Sequence, residues 1–282
     1  MHVRIEAILV ARALVMFALF PALAGCLTGA ETLDRADRPQ GDVAAPPRPG
    51  VAWASPDEAR LMPGVVLHTE KRDCPTNFFF TKPQSSTVFL GTTAYCVRDL
   101  TLGSLAVVGD GDDLAVLIYS SFETMAEVGE SDPNALEYND LAIFHLDHSS
   151  HRRANPTLPG GGATGVADGE RIEVGDRLRA FAPAQNLPSQ LAWREGVVAG
   201  HAGEWALLTY NVLPGAPGAL GGPVVDSEGR AVGVLATLGV FPNPGANGVA
   251  RLDTMLDYAA RHARLYMTVA TPDDARTASQ ES

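Results

Sequence analysis

The side chains most suited to chemistry in this sequence are few and unevenly placed. His145, Asp147, His148 and His151 crowd one short stretch, and imidazoles beside a carboxylate are the usual material of metal sites and proton shuttles. Their spacing fits no standard zinc pattern, and the stretch leaves an apolar segment, Leu141-Ala142-Ile143-Phe144, for a polar loop, so no metal and no cofactor is expected. His68 and His201 stand alone and read as surface residues or satisfied members of a core. Asp140 directly precedes the apolar segment, and a carboxylate buried there must be met by hydrogen-bond donors. Ser227 is the serine next downstream of the glycine-rich run Pro217-Gly218-Ala219-Leu220-Gly221-Gly222-Pro223. It lies in Asp226-Ser227-Glu228-Gly229, however, whose composition is that of a turn. Trp53, Trp193 and Trp205 are too scattered to form a stacking platform for bases or sugars.

The three cysteines, Cys26, Cys74 and Cys96, separate by context. Arg4 and Arg12 precede the apolar run Ala13 to Leu23, which is too short to span a bilayer and suits the core of a secretory signal. The run ends in Leu23-Ala24-Gly25-Cys26, which resembles the bacterial lipobox. That resemblance implies a signal peptide over 1–25 and lipidation of Cys26, hence an extracytoplasmic protein anchored to the cell envelope by an N-terminal lipid. The alternative is an ordinary signal peptide with an incidental cysteine. Export to an oxidising compartment leaves Cys74 and Cys96 as an expected disulfide. A formal charge of −12, from 21 basic and 33 acidic residues, excludes nucleic acid as a partner, since phosphate contacts need clustered Lys and Arg.

The elements that must position these residues are short strands. Residues 26–61 are rich in Ala, Pro, Gly and Asp, as in Gly41-Asp42-Val43-Ala44-Ala45-Pro46-Pro47, and read as a flexible tether; 267–282 reads as a disordered tail. Between them, Asn77 to Thr81 and Thr87 to Gly91 flank the turn Lys82-Pro83-Gln84-Ser85-Ser86. A second hairpin joins Leu105–Val108 to Leu114–Tyr119 through Gly109-Asp110-Gly111-Asp112-Asp113. After the boundary Pro159-Gly160-Gly161-Gly162, strands are expected near 177–181, 196–199, 205–210, 223–225 and 231–237. Many short strands without alternating helices predict an all-β barrel or sandwich. From Leu252, the residues Leu252, Met255, Leu256, Ala259 and Ala263 recur at helical spacing, with Asn247 available to cap the segment or its lead-in.

Three local patterns then resemble the trypsin-like serine protease family, in that family's order of His, Asp and Ser. Val88-Phe89-Leu90-Gly91-Thr92-Thr93-Ala94-Tyr95-Cys96 is similar to the strand and turn that carry the general base, with Tyr95 in the histidine slot. Its Cys96 follows as the family's cysteine does, and Cys74 stands where the bridge would return. Tyr138-Asn139-Asp140-Leu141-Ala142-Ile143-Phe144 is similar to the strand that supplies the aspartate, and Asp140 is intact. Gly218 to Pro223 is similar to the nucleophile loop Gly-x-Ser-Gly-Gly-Pro, with Leu220 in the serine slot. The resemblance covers 62–266 and implies two six-stranded β-barrels followed by a C-terminal α-helix.

The chemistry of those slots is altered. Imidazole can take the serine proton and return it to a leaving amine, whereas a phenol holds its proton at neutral pH and is a donor. Leu220 has no hydroxyl to attack a carbonyl. The oxyanion hole, made of backbone N–H groups at Gly218 and Leu220, needs no side chain and is expected to persist. The Tyr95 hydroxyl is expected to donate to Asp140 in place of the lost imidazole. Leu220 is expected to make the floor of the inter-barrel cleft apolar. The resulting reading is a pseudoprotease whose cleft binds a peptide or protein without cutting it. The alternative is an active serine endopeptidase, through a misread register at Tyr95 and Leu220 or through a relocated nucleophile. The segment 237–247 is expected to border the specificity pocket.

Overall fold

Three successive phenylalanines, Phe78, Phe79 and Phe80, are all buried, and strand alternation explains how. Phe79 points into one apolar core with Trp53, while Phe78 and Phe80 point into another and meet edge to face. The neighbouring strand repeats the pattern: Val88 and Leu90 join the first core and Phe89 the second. A sheet covered on both faces accounts for the continuous apolar runs at 78–80, 88–90 and 141–144.

The structure is a computed structural model that describes residues 51–159, 161, 163–184, 187–211, 220–237 and 245–274. The expected signal peptide, Cys26, most of the tether, Gly218 and most of the pocket border lie outside these residues. The N-terminal half comprises β1 (Val66–His68), β2 (Asp73–Pro75), β3 (Phe79–Thr81), β4 (Val88–Thr92), α1 (Ala94–Val97), β5 (Leu105–Val108), β6 (Asp113–Ser120), α2 (Ser121–Val128), α3 (Pro133–Tyr138) and β7 (Ala142–Leu146). The C-terminal half comprises β8 (Arg177–Ala184), β9 (Leu187–Ala202), β10 (Ala206–Asn211), β11 (Pro223–Val225), β12 (Ala231–Thr237), β13 (Ala246–Arg251), α4 (Leu252–Ala263) and β14 (Thr268–Val269).

The six strands β10-β13-β12-β11-β8-β9 close a barrel. The first half is a curled sheet of eight strands, in the order β14-β3-β4-β7-β6-β5-β1-β2, where a second six-stranded barrel was expected. Its extra members are short edge strands, including β14, which comes from the end of the chain and pairs Val269 with Phe80. Among the described residues no helix is long and apolar enough to cross a membrane.

Both ends of the packed chain reach further than the sequence suggested. Val51, Trp53 and Leu61, placed in the tether, are buried, and the Ala54 N–H donates to the Ala154 carbonyl at 2.9 Å. Met267, Val269 and Ala270, placed in the tail, are buried as well. Apolar residues spaced among Pro, Ala and Asp escape composition-based reading because each finds its own hole in a distant core. The helix at 252–263 is as expected, but Asn247 is a buried residue of β13 whose carbonyl accepts from Thr209, and Arg251 takes the N-cap position.

Candidate active site

Tyr95 lies in α1, a single turn of helix entered from Thr93 in extended conformation. Thr93 holds the N-cap position but its side chain makes no capping bond, leaving the first N–H groups of the turn to find an acceptor elsewhere. Asp140 supplies it. Its Oδ1 accepts the Tyr95 N–H at 2.7 Å, and the Ala94 N–H also donates to the carboxylate. The expected bond from the Tyr95 hydroxyl is therefore not what joins the two residues. The helical turn aims the backbone of Tyr95 at Asp140 and sends the ring outward, where it is 48% exposed. One turn on, the Arg98 guanidinium stacks over that ring, 4.2 Å from its centroid.

Asp140 is 5% exposed, and burial pushes its carboxyl up to about 6 against the lowering effect of the two N–H groups. The backbone around it is braced by Ser121, a residue the sequence reading missed. The Ser121 hydroxyl donates to the Asn139 carbonyl and accepts the Leu141 N–H at 3.1 Å, while the Ser121 N–H donates to the Leu141 carbonyl at 2.9 Å. The only available signal was a serine following the strand 114–119 at the start of a short helix, which is too common to single out.

The third position belongs to the other half. Leu220 is partly buried and packs against the core inside the closed barrel, with Leu235, Val224 and Val232 among that core's members. Its side chain thus rests against that core while remaining partly exposed. Gly221 follows in a left-handed conformation, φ +89°, which favours glycine, and its N–H donates to the Leu235 carbonyl at 2.8 Å. A Cβ on Gly221 would lie 3.2 Å from both the Pro75 and the Thr93 side chains, so this loop abuts the turn that carries Tyr95. The structure thus brings the three positions' loops together, with no hydroxyl nucleophile at 220 and no imidazole at 95.

The bridge between Cys74 and Cys96 is formed, with Cα atoms 5.9 Å apart, and ties α1 to the edge strand β2. The Thr92 hydroxyl donates to the Pro75 carbonyl at 2.8 Å, a packing role beside the same bridge. Ser227 is exposed in a turn organised by Asp226, whose Oδ1 accepts the N–H groups of Glu228 and Arg230. In the histidine stretch, His151 is buried with Nε2 3.3 Å from the Leu146 carbonyl oxygen and its ring against His148, while His145 packs on Phe89. Among the described residues no group of three His, Cys, Asp or Glu is placed to hold a metal ion. His68 pairs with Asp73 at 2.8 Å, and His201 is exposed on β9.

A curled β-sheet, a closed barrel, a C-terminal helix and a site shared between the two halves define the trypsin-like protease fold. The family model of the trypsin-like peptidase domain matches residues 85–234, more than half of the sequence, and the chain belongs to that family. Solved structures of similar fold include a glutamic acid specific serine protease reported to use a novel histidine triad in substrate binding. It is 15% identical with a TM-score of 0.49, over 74% of this chain and 100% of that one. The HtrA-type protease AlgW with tripeptide is 16% identical with a TM-score of 0.45, over 73% and 62% of the two chains. A serine endoprotease from Yersinia pestis is 15% identical with a TM-score of 0.45, over 73% and 64%. No curated protein matches the sequence.

Proposed function

We propose that this chain is a catalytically inactive trypsin-like protease homologue that binds an extended peptide or protein segment between its two halves without cleaving it. The observation that carries the reading is the fate of the two altered positions. Tyr95 offers Asp140 its backbone and turns its ring to solvent, and Leu220 packs its aliphatic side chain against the barrel core. Neither side chain can serve as general base or nucleophile in acyl transfer, and a triad stripped of both keeps only about 10³–10⁴-fold acceleration over water. The Tyr95–Asp140 contact caps a helix, a role that survives the loss of chemistry.

A cleft flanked by strands offers backbone groups to an added strand, the mode by which a peptide is held through main-chain hydrogen bonds. The sequence Leu23-Ala24-Gly25-Cys26 adds attachment to the bacterial cell envelope through a lipid on Cys26. Anchoring is checked by detergent-phase partitioning of the expressed protein, which Cys26→Ala should move to the aqueous phase.

Inactivity is tested with a fluorophosphonate probe applied to the wild type and to a Tyr95→His/Leu220→Ser double variant. The wild type should remain unlabelled and the double variant should label. Labelling of the wild type would overturn the proposal and restore an active endopeptidase.

A further inference from the structure

Away from the site, the outer face of α4, the 166–170 turn and the segment leading into β14 enclose a groove of about 570 Å³. It shares no residue with the Tyr95, Asp140 and Leu220 positions. Its floor is apolar: Val166, Leu256, Ala260 and Met267 line it, and the Tyr266 ring beside them is 63% exposed. An open tyrosine over an aliphatic floor is the composition of a contact surface.

The charges around this floor do not balance. Arg251 is buried, lies against Gly169 and forks onto Asp253, and so is neutralised within the wall. Arg261 pairs with Asp257 at 3.4 Å, and Asp168 pairs with Arg171 at 3.0 Å. Glu170 and Glu204 also line the groove, are exposed, and have no cation within ion-pairing distance among the described residues. The unbalanced charge at the rim is therefore negative, in a protein of formal charge −12.

We propose that this groove docks a cationic segment of a partner protein, with an apolar side chain seated against Leu256 and Tyr266 and flanking Lys or Arg residues reaching Glu170 and Glu204. The same carboxylates repel phosphate-bearing surfaces, which excludes nucleic acid and anionic membrane as occupants. Binding of this kind weakens with added salt, since exposed charges are screened beyond about 10 Å at 0.1 M.

The test uses fluorescence anisotropy of the full-length protein with a labelled octapeptide alternating Leu and Lys, beside a Leu and Glu counterpart. Saturable binding of the Lys peptide alone is expected. Glu170→Gln/Glu204→Gln should weaken it about 10-fold, the size of two lost charge-assisted contacts, and Tyr266→Ser should weaken it as well. A control pair on α2, Glu123→Gln/Glu127→Gln, removes the same charge elsewhere and should leave binding unchanged. Absence of saturable binding, or equal weakening by both carboxylate pairs, overturns the proposal in favour of general attraction to an acidic protein. Weakening by Tyr95→Ala without any effect of the groove variants would place the peptide in the inter-barrel cleft and equally overturn it. A dimer in sedimentation velocity that Glu170→Gln/Glu204→Gln dissociates would overturn the proposal by giving the groove to a second copy of this chain.

Discussion

Asp140 holds two backbone N–H groups at the start of a four-residue helix, and it does so as a nearly buried carboxylate. Because its folded pKa is about 6, above the usual carboxylate value, the folded protein retains a proton that the unfolded chain has already released. Its ionisation therefore lowers stability as pH rises from about 4 to about 6, by about 3 kcal/mol in total, and adds nothing further above that window. Urea unfolding of wild type and Asp140→Asn across this range should show the decline in the wild type only. Tyr95→Phe should change stability by less than about 0.5 kcal/mol, because the bond to Asp140 comes from the backbone. Ser121→Ala should cost about 1–3 kcal/mol in the same measurement, since it strips partners from the Asn139 carbonyl and Leu141 N–H beside Asp140. The three slots at 95, 140 and 220 were legible as residue types in flanking patterns. The direction of Tyr95 was not, because whether a side chain or a backbone group meets the carboxylate depends on the phase of one helical turn.

Among the elements, the hairpins β3–β4 and β5–β6 and the helix α4 could be read from alternation, turn residues and helical spacing. Strand β13 could not, since Ala246 to Arg251 shows no alternation and is buried along its whole length. It is packed closely enough to need glycine in its neighbour: a Cβ on Gly233 of β12 would lie 1.9 Å from the Ala250 carbonyl oxygen. Backbone cannot move aside for it, and Gly233→Ala should abolish soluble expression or lower stability by at least about 3 kcal/mol. The disulfide acts on a different pair of elements. It closes a separation of 22 residues between β2 and α1, and Cys74→Ala/Cys96→Ala should cost about 3 kcal/mol, read from the shift in urea midpoint.

For the molecule as a whole, the two halves are joined by contacts that no local pattern announces. The Trp205 Nε1–H donates to Asp132 at 3.0 Å, and the Tyr258 hydroxyl donates to Glu130 at 3.2 Å, linking the loop before α3 to β10 and α4. The end of the chain returns to the first sheet through β14, where Met267, Val269 and Ala270 are buried. A chain ending at Tyr266 should lose roughly 4 kcal/mol from these side chains and expose the edge of β3, a change read by urea unfolding and by light scattering.

That last strand also sets the two halves apart in how each is assembled from the sequence. All six strands of the barrel lie between Arg177 and Arg251, in one continuous stretch of sequence. The first half takes the outer neighbour of β3, Thr268 and Val269, from beyond that stretch. The two halves therefore differ in what they draw on: one continuous stretch of sequence closes the barrel, whereas the first sheet is completed only by residues that lie beyond the whole of the other half.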